Sequence, residues 1–148
     1  MKLVNGYLKY PTNPEYFNCY LFTANRVVKN NGELVMGGGN ALAFAKTYPD
    51  SPIVFGSIVT ENPDTVFDVY SSPKHKGLLG LFVTKNHYKN PSCLVLVAKA
   101  VQELKYVALT NPNWTYHLPY PAIGLGGLRK EQINPLIEVL PDNVIVYE

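Results

Sequence analysis

Two glycine-rich segments and one lysine are the residues of this sequence whose types and spacing could do chemistry. The first segment, NNGELVMGGGNALAFAKTYPD, covers residues 30–50 and contains three consecutive glycines, Gly37, Gly38 and Gly39. A glycine inside a regular element costs about 0.5–1 kcal/mol relative to alanine, so three in a row indicate a place that needs bare backbone. A helix-like stretch follows at once, and a helix N-terminus offers unpaired N–H groups to an anion.

The second segment, YPAIGLGGLRKEQ, repeats the order of strand, glycine turn and helix at residues 120–132. Two such loops at one edge of a sheet predict a diphosphate that is held from both sides. Neither loop has the lysine and following Ser or Thr of a P-loop, and the dinucleotide fingerprint G-x-G-x-x-G fails in both. The residues alone therefore predict an α/β domain that binds a phosphorylated small molecule.

Alternating strands and helices are predicted to position these loops. Apolar and β-prone runs predict strands over residues 2–8, 19–25, 53–59, 65–71, 77–84, 115–123 and 143–147. Helical spacing predicts helices over residues 39–49, 90–104 and 130–140. The second of these has Asn90 as its predicted N-cap and Pro91 in its first turn. Because Pro135 fits poorly inside the last helix, that helix either begins near Asn134 or kinks.

This order of elements predicts a mixed sheet with helices on both faces. Ligands of such sheets bind beyond the carboxyl ends of the strands. Asn25 stands at the end of one predicted strand and Lys85 at the end of another, so both are expected at the edge that carries the glycine loops.

The composition of the chain argues against several classes of function. The 148 residues suffice for one domain, spanning residues 1–148, and 47% of them are hydrophobic while 16% are charged. A net charge of +2 does not suggest an electrostatic nucleic-acid binder. The two cysteines, Cys19 and Cys93, have no metal or redox spacing, which favours a reducing compartment and a cytoplasmic location. No signal peptide and no run of membrane-spanning length is found, so we expect no membrane partner.

The three histidines, His75, His87 and His117, show no metal-ligand spacing. We therefore expect neither a metal ion nor an organic cofactor. His87 follows Lys85 by two residues and could line the predicted pocket, but we expect it at the surface.

Beyond these physical arguments, three segments resemble macro domains. TANRVVKNNGELVMGGGNALAFAKTYP resembles their first ligand loop, and GLFVTKNHYKNPSCLVLVAKAVQEL resembles their strand with a terminal lysine followed by a long helix. LPYPAIGLGGLRKEQINPLIEVLPDNVIVYE resembles their closing segment. The resemblance covers residues 1–10 and 18–148 in order. It is closest to the branch of terminal ADP-ribose glycohydrolases and DNA de-ADP-ribosylating antitoxins.

This resemblance implies a three-layer α/β/α macro domain with a central mixed sheet and an ADP-ribose pocket. The residues that it assigns to the pocket are Asn25, Val35, Met36, Gly37, Gly38, Gly39, Gly124, Leu125, Gly126 and Gly127. Asn25 and Lys85 are expected beside the distal ribose. In relatives with hydrolase activity the matching lysine is catalytic and is proposed to attack the anomeric carbon. The implied partner is ADP-ribose, or an ADP-ribosylated protein, nucleic acid or small conjugate.

Two departures from the family pattern bear on function. Many macro domains have Gly-Asp near the N-terminus, where the Asp recognises the adenine amino group, but the matching NGYL has Tyr7. Adenine is then either stacked on a side chain or recognised by backbone groups, or else NGYL aligns with the family pattern in a different register. The terminal glycohydrolases also carry an Asp in the second loop, which GLGGL lacks, whereas the antitoxin relatives lack it too and keep the lysine.

Four functions are consistent with these features. The first is an ADP-ribosyl hydrolase with Lys85 as its nucleophile. The second is a module that reads or sequesters ADP-ribose without chemistry, which the missing acid suggests. The third is a phosphatase of ADP-ribose 1″-phosphate, and the fourth is a macro fold that binds another nucleotide, which Tyr7 suggests.

Overall fold

Six strands and four α-helices make up the chain in a computed structural model, which describes all residues, 1–148. The strands are β1 (Lys2–Val4), β2 (Asn18–Ala24), β3 (Phe67–Tyr70), β4 (Leu78–Val83), β5 (Thr115–Pro119) and β6 (Val144–Tyr147). The helices are α1 (Gly39–Thr47), α2 (Ser51–Glu61), α3 (Leu94–Thr110) and α4 (Lys130–Ile137). None of these helices, the longest of which has 17 residues, meets the length and apolarity of a membrane span.

The strands form one sheet in the order β1-β6-β5-β2-β4-β3. All neighbouring pairs are parallel except β3 and β4, which are antiparallel. From β2 the chain moves through α1 and α2 towards β3 and β4, whereas from β4 it returns through α3 to β5 and then through α4 to β6. Right-handed crossovers in opposite directions place α1 and α2 on one face and α3 and α4 on the other. The predicted α/β/α layers with a mixed sheet are confirmed.

Consecutive residues of β2 point to opposite faces of the sheet and pack against the helices on each face. Phe22 packs against Phe44 of α1 and Phe55 of α2, with ring centroids 4.6 Å and 5.2 Å away. Its neighbour Leu21 points to the opposite face and is fully buried, as is Leu104 of α3. A parallel strand that is covered on both faces is apolar at successive positions, which is why CYLFTA contains no charge.

Residues 53–59 were predicted to be a strand, and this prediction is wrong. They lie inside α2, where Pro52 suits the first helical turn. Phe55 and Val59 are four residues apart and both buried, while Ile53 is exposed, so the apolar positions have a helical period. Packing of this face against the sheet overrides the β-propensity of IVFGSIV.

The boundaries of the last two helices also differ from prediction. α3 begins at Leu94, with Cys93 rather than Asn90 at its N-cap. The backbone before it is extended because Ser92 N donates to Gly126 O at 2.7 Å and Cys93 N donates to Thr84 O at 2.8 Å. α4 runs from Lys130 to Ile137 and includes Pro135, so it begins at the predicted residue 130 rather than near Asn134, and it ends before residue 140.

His117 lies in a buried polar group on β5 and is no metal ligand. Its Nε2 donates to Asn18 Oδ1 and its Nδ1 accepts from the Tyr147 hydroxyl, each at 2.8 Å, which fixes the neutral tautomer. The ring stacks on Tyr20 with centroids 4.3 Å apart. Burial lowers the pKa of His117 from 6.5 to about 4.

Because the pKa of His117 is lower in the folded chain than in the unfolded one, its neutral ring stabilises the fold above pH 6.5. This contribution is lost as the pH falls from 6.5 to 4, and at pH 4 the loss reaches up to about 3 kcal/mol. Urea denaturation from pH 7 to pH 4 should therefore show a steeper fall in stability for the natural protein than for His117→Gln. Parallel curves for the two proteins would contradict this assignment.

Gly56 lets α2 approach the loop that follows β2. A Cβ at this position would lie 1.9 Å from Gly32 O and 2.9 Å from Leu34 N. We expect Gly56→Ala to lower the free energy of unfolding by about 2–3 kcal/mol, because backbone has to move to admit the methyl group. Urea denaturation measures this loss. Ser57→Ala, at the exposed neighbouring position of the same helix, is the matched control and should stay within about 0.5 kcal/mol of the natural protein.

Candidate functional site

The candidate site lies at the point where the sheet connections diverge. β2 continues towards β4 and its neighbour β5 continues towards β6, so the chain leaves these adjacent strands in opposite directions. Such a switch point leaves a crevice beyond the carboxyl ends of the two strands. The first glycine loop follows β2 and the second follows β5. The predicted position of both loops at one sheet edge agrees with this topology.

The crevice begins inside the sheet because β2 and β5 separate early. They pair only from Asn18 to Tyr20 of β2. Beyond that point the side chain of Asn40 takes the place of a neighbouring strand. Its Oδ1 accepts from Thr23 N and its Nδ2 donates to Thr23 Oγ1, both at 2.8 Å. These two bonds fix the first turn of α1 against the end of β2.

A short hairpin separates Asn25 from the three glycines. Val27 and Val35 pair through a bond of 2.9 Å from Val35 N to Val27 O, and Val28 bridges Leu34. Asn25 is buried beneath this hairpin, where its Nδ2 donates to Val35 O at 2.9 Å and its Oδ1 accepts from Val27 N at 2.8 Å. Asn25 therefore holds both ends of the hairpin and keeps one amide N–H and one lone pair for another partner.

The three glycines are exposed, whereas Met36 before them is buried in the core. Gly38 is extended and stands at the N-cap of α1, and Gly39 has a φ of 58°, a value that strains other residues. The first N–H groups of α1 have no partner within the helix, and its first turn carries no acidic residue. This end of the site can thus receive an anion.

The second loop closes over the first. It contains one 3-10 turn, Gly124–Gly126, with positive φ at Gly124 and Gly127. Leu125 is 74% exposed, and its Cδ1 would lie 3.4 Å from a Cβ on Gly38 and 3.2 Å from one on Gly39. The two glycine loops therefore contact each other across the crevice through one leucine.

Lys85 reaches the same place from β4. Its backbone N donates to Ala24 O at 3.4 Å, and its half-buried side chain brings Nζ to 3.5 Å from Leu125 O. None of the ion pairs of the chain includes Lys85. The structure thus brings together Lys85, Asn25 and the two loops. Tyr7 follows the edge strand β1 and is 94% exposed.

Several solved structures have this fold. The macrodomain of Thermus aquaticus DarG matches with a TM-score of 0.77 and 25% identity over 99% of this chain and 95% of that one. The macrodomain of Mycobacterium tuberculosis DarG matches with a TM-score of 0.74 and 24% identity, and 97% of each chain is covered. The chain folds as a macro domain. No protein-family model and no curated protein matches its sequence.

A third solved structure matches this chain over part of a longer protein. Thermosipho africanus DarTG in complex with ADP-ribose matches with a TM-score of 0.72 and 22% identity over 87% of this chain. The match spans 37% of the DarTG chain, so this macro domain corresponds to about a third of that protein. The macro domain predicted from the sequence motifs is confirmed in its fold.

Asn40, Arg26 and Ser92 are residues of the macro domain's site region that the sequence did not point to. Asn40 lies inside a helix pattern, and nothing in its spacing indicates that it bonds to a strand 17 residues earlier. Ser92 packs behind the second loop, where its Oγ would lie 2.6 Å from a Cβ on Gly126. Arg26 donates from Nε to Asn86 Oδ1, 60 residues later in the chain. All three roles depend on contacts between segments that are far apart in the sequence.

Replacing Asn40 should destabilise the macro domain through Thr23. We expect Asn40→Ala to lower the free energy of unfolding by about 1–3 kcal/mol, because the backbone N–H of Thr23 loses its acceptor. Asn40→Asp is the matched control, since its carboxylate accepts from the same N–H and from the Thr23 hydroxyl. Urea denaturation compares the three proteins, and an equal loss in both variants would contradict the role of the acceptor.

Proposed function

We propose that this macro domain binds ADP-ribose and removes it from a modified macromolecule or small conjugate through Lys85. The observation that carries the proposal is the contact of the two glycine loops through Leu125, with Lys85 Nζ 3.5 Å from Leu125 O. Similarity in fold to DarTG, which is in complex with ADP-ribose, supports the choice of ligand. We also propose a cytoplasmic setting, because Cys19 and Cys93 have no metal or redox spacing in the sequence.

The diphosphate is assigned to the space between the loops. Gly37–Gly39 have no side chains to hold a phosphate oxygen away from the backbone, and the N-terminus of α1 adds a partial positive charge. The turn at Gly124–Gly127 would cover the opposite side, with Leu125 excluding water. We assign Val35 and Met36 to the pocket beside Gly37–Gly39. They would contact the ligand through backbone groups, because the Met36 side chain is in the core.

The distal ribose is assigned to the side of the crevice that lies beyond the carboxyl ends of β2 and β4, where Asn25 and Lys85 follow these strands. Asn25 offers its remaining amide N–H and lone pair to the ribose hydroxyls, and the hairpin above it fixes the direction of these groups. Lys85 would then approach the anomeric carbon of the same sugar. At the other end of the ligand, the exposed ring of Tyr7 would stack on adenine in place of an acidic side chain.

The chemistry proposed for Lys85 has two steps. The ammonium of Lys85 first gives up a proton to solvent, and the amine then forms a bond from Nζ to the anomeric carbon while the bond from that carbon to the partner breaks. The bonding pair leaves on the partner atom, which takes up a proton. Water then adds to the anomeric carbon, the carbon–nitrogen bond breaks, and the amine and ADP-ribose are released.

Lys85→Ala tests this proposal. We expect turnover of an ADP-ribosylated substrate to fall more than about 100-fold, because the nucleophile is gone, while the Kd for ADP-ribose changes less than about 3-fold. Release of ADP-ribose from modified protein and modified DNA measures turnover, and calorimetry measures binding. Lys99→Ala, which removes an exposed lysine from α3, is the matched control. Undiminished turnover in Lys85→Ala would contradict the proposed mechanism.

A second candidate function is a module that holds ADP-ribose without chemistry. It is favoured by the second loop, which carries no acidic residue between Gly124 and Leu128, and by the lack of an ion pair at Lys85. Tight calorimetric binding of ADP-ribose, with no release from any modified substrate by the natural protein, would select this function. Absence of binding would contradict both candidates.

A further inference from the structure

Arg26 and Asn86, which are not assigned to the pocket, bond to each other beside two residues that are. Arg26 follows Asn25, and Asn86 follows Lys85. Arg26 Nε donates to Asn86 Oδ1 at 3.0 Å, and Nη2 of the same guanidinium donates to the same oxygen. The backbones pair as well, because Arg26 N donates to Asn86 O at 3.2 Å. We call these contacts between Arg26 and Asn86 the clamp.

The clamp extends the pairing of β2 and β4 beyond the sheet. Thr84 N donates to Ala24 O at 2.9 Å, and Lys85 N approaches the same oxygen at 3.4 Å. The clamp then fixes the next residue, Asn86. Lys85 is therefore held on both sides along the backbone, although its own side chain has a single hydrogen bond, to Leu125 O.

The side chain of Arg26 also connects this segment to the start of β3. Its Nη1 lies 3.5 Å from Thr65 O, and Thr65 is buried. A planar guanidinium reaches these two acceptors at once, which a lysine ammonium at the end of a flexible chain cannot do in the same geometry. Arg26 thus fixes the turn after β4 to two neighbouring strands.

We infer that Arg26 is a positioning residue for Lys85, which it serves by holding Asn86 and with it the backbone from which the Lys85 side chain projects. This inference rests on the proposed function of Lys85. The clamp makes no hydrogen bond to the residues assigned to the diphosphate. Its loss should therefore change the chemical step while leaving the binding of ADP-ribose nearly intact.

The test compares Arg26→Gln, Asn86→Ala and the double variant. We expect kcat for release of ADP-ribose to fall about 10- to 100-fold in each, because Lys85 is displaced from the anomeric carbon. The Kd for ADP-ribose should change less than about 3-fold. Since both residues act through one contact, the double variant should lose no more than the stronger single variant. Lys99→Gln is the control for loss of one positive charge.

Hydrogen exchange gives a readout that needs no turnover. The amide protons of Lys85, which donates to Ala24 O, and of residue 26, which donates to Asn86 O, should exchange about 10-fold faster in Arg26→Gln, because the turn opens more often. Unchanged exchange, an unchanged kcat, or losses that add in the double variant would each overturn the inference. A parallel rise in Kd would also overturn it, since that result indicates general damage to the pocket.

Lys85→Ala, measured beside these variants, separates the two claims. If Lys85→Ala abolishes turnover and Arg26→Gln does not lower it, the positioning role fails and the proposed function stands. If Lys85→Ala retains turnover, or the natural protein shows none, the proposed function fails and the role of the clamp fails with it.

Discussion

The bond from Thr23 N to Asn40 Oδ1 is the constraint on which the site depends. A strand that leaves its neighbour would expose unpaired backbone, and buried backbone groups of this kind are costly. A helical side chain supplies the missing acceptor, so β2 and β5 can separate without an unpaired group at Thr23. The same bond fixes where α1 begins, and therefore where the three glycines lie.

Close contacts between backbone segments at glycines determine the shape of the rest of the site. Gly56 admits the hairpin that follows Asn25, and Gly126 packs against Ser92 while its carbonyl accepts from the Ser92 backbone. These contacts fix the two loops from behind, one through α2 and the other through the segment before α3. The exposed faces of the loops then carry glycine for a different reason, which is access for a ligand. Gly56 and Gly126 thus serve packing, whereas the exposed glycines of the two loops leave space for the proposed ligand.

Much of this arrangement was predictable from the sequence, because it depends on local patterns. Apolar, β-prone runs identified the strands around residues 19–25 and 77–84, and these placed Asn25 and Lys85 at strand ends. The glycine segments marked the loops. Residues 53–59 were misassigned because their β-branched side chains resemble a strand, whereas the buried spacing of Phe55 and Val59 is set by tertiary packing.

Contacts between distant segments could not be predicted in this way. The start of α3 depends on bonds from Ser92 and Cys93 to Gly126 and Thr84, which come from other parts of the chain. The bonds of Asn40 and Arg26 also join segments that are 17 and 60 residues apart. A single sequence gives the types of these side chains without their partners. The chemistry of the crevice was therefore visible in outline, while the residues that hold it in place were not.

The hairpin of residues 27–35 lowers the entropic cost of binding a ligand at this end of the site. It is ordered by its own backbone bonds, by Asn25 beneath it and by Gly56 of α2 behind it. The conformational entropy of this loop is therefore lost when the chain folds, before any ligand arrives. A preorganised loop leaves more of the contact free energy available for affinity. Binding at this end should accordingly carry a small entropic penalty, with little rearrangement of the backbone between the empty and the occupied protein.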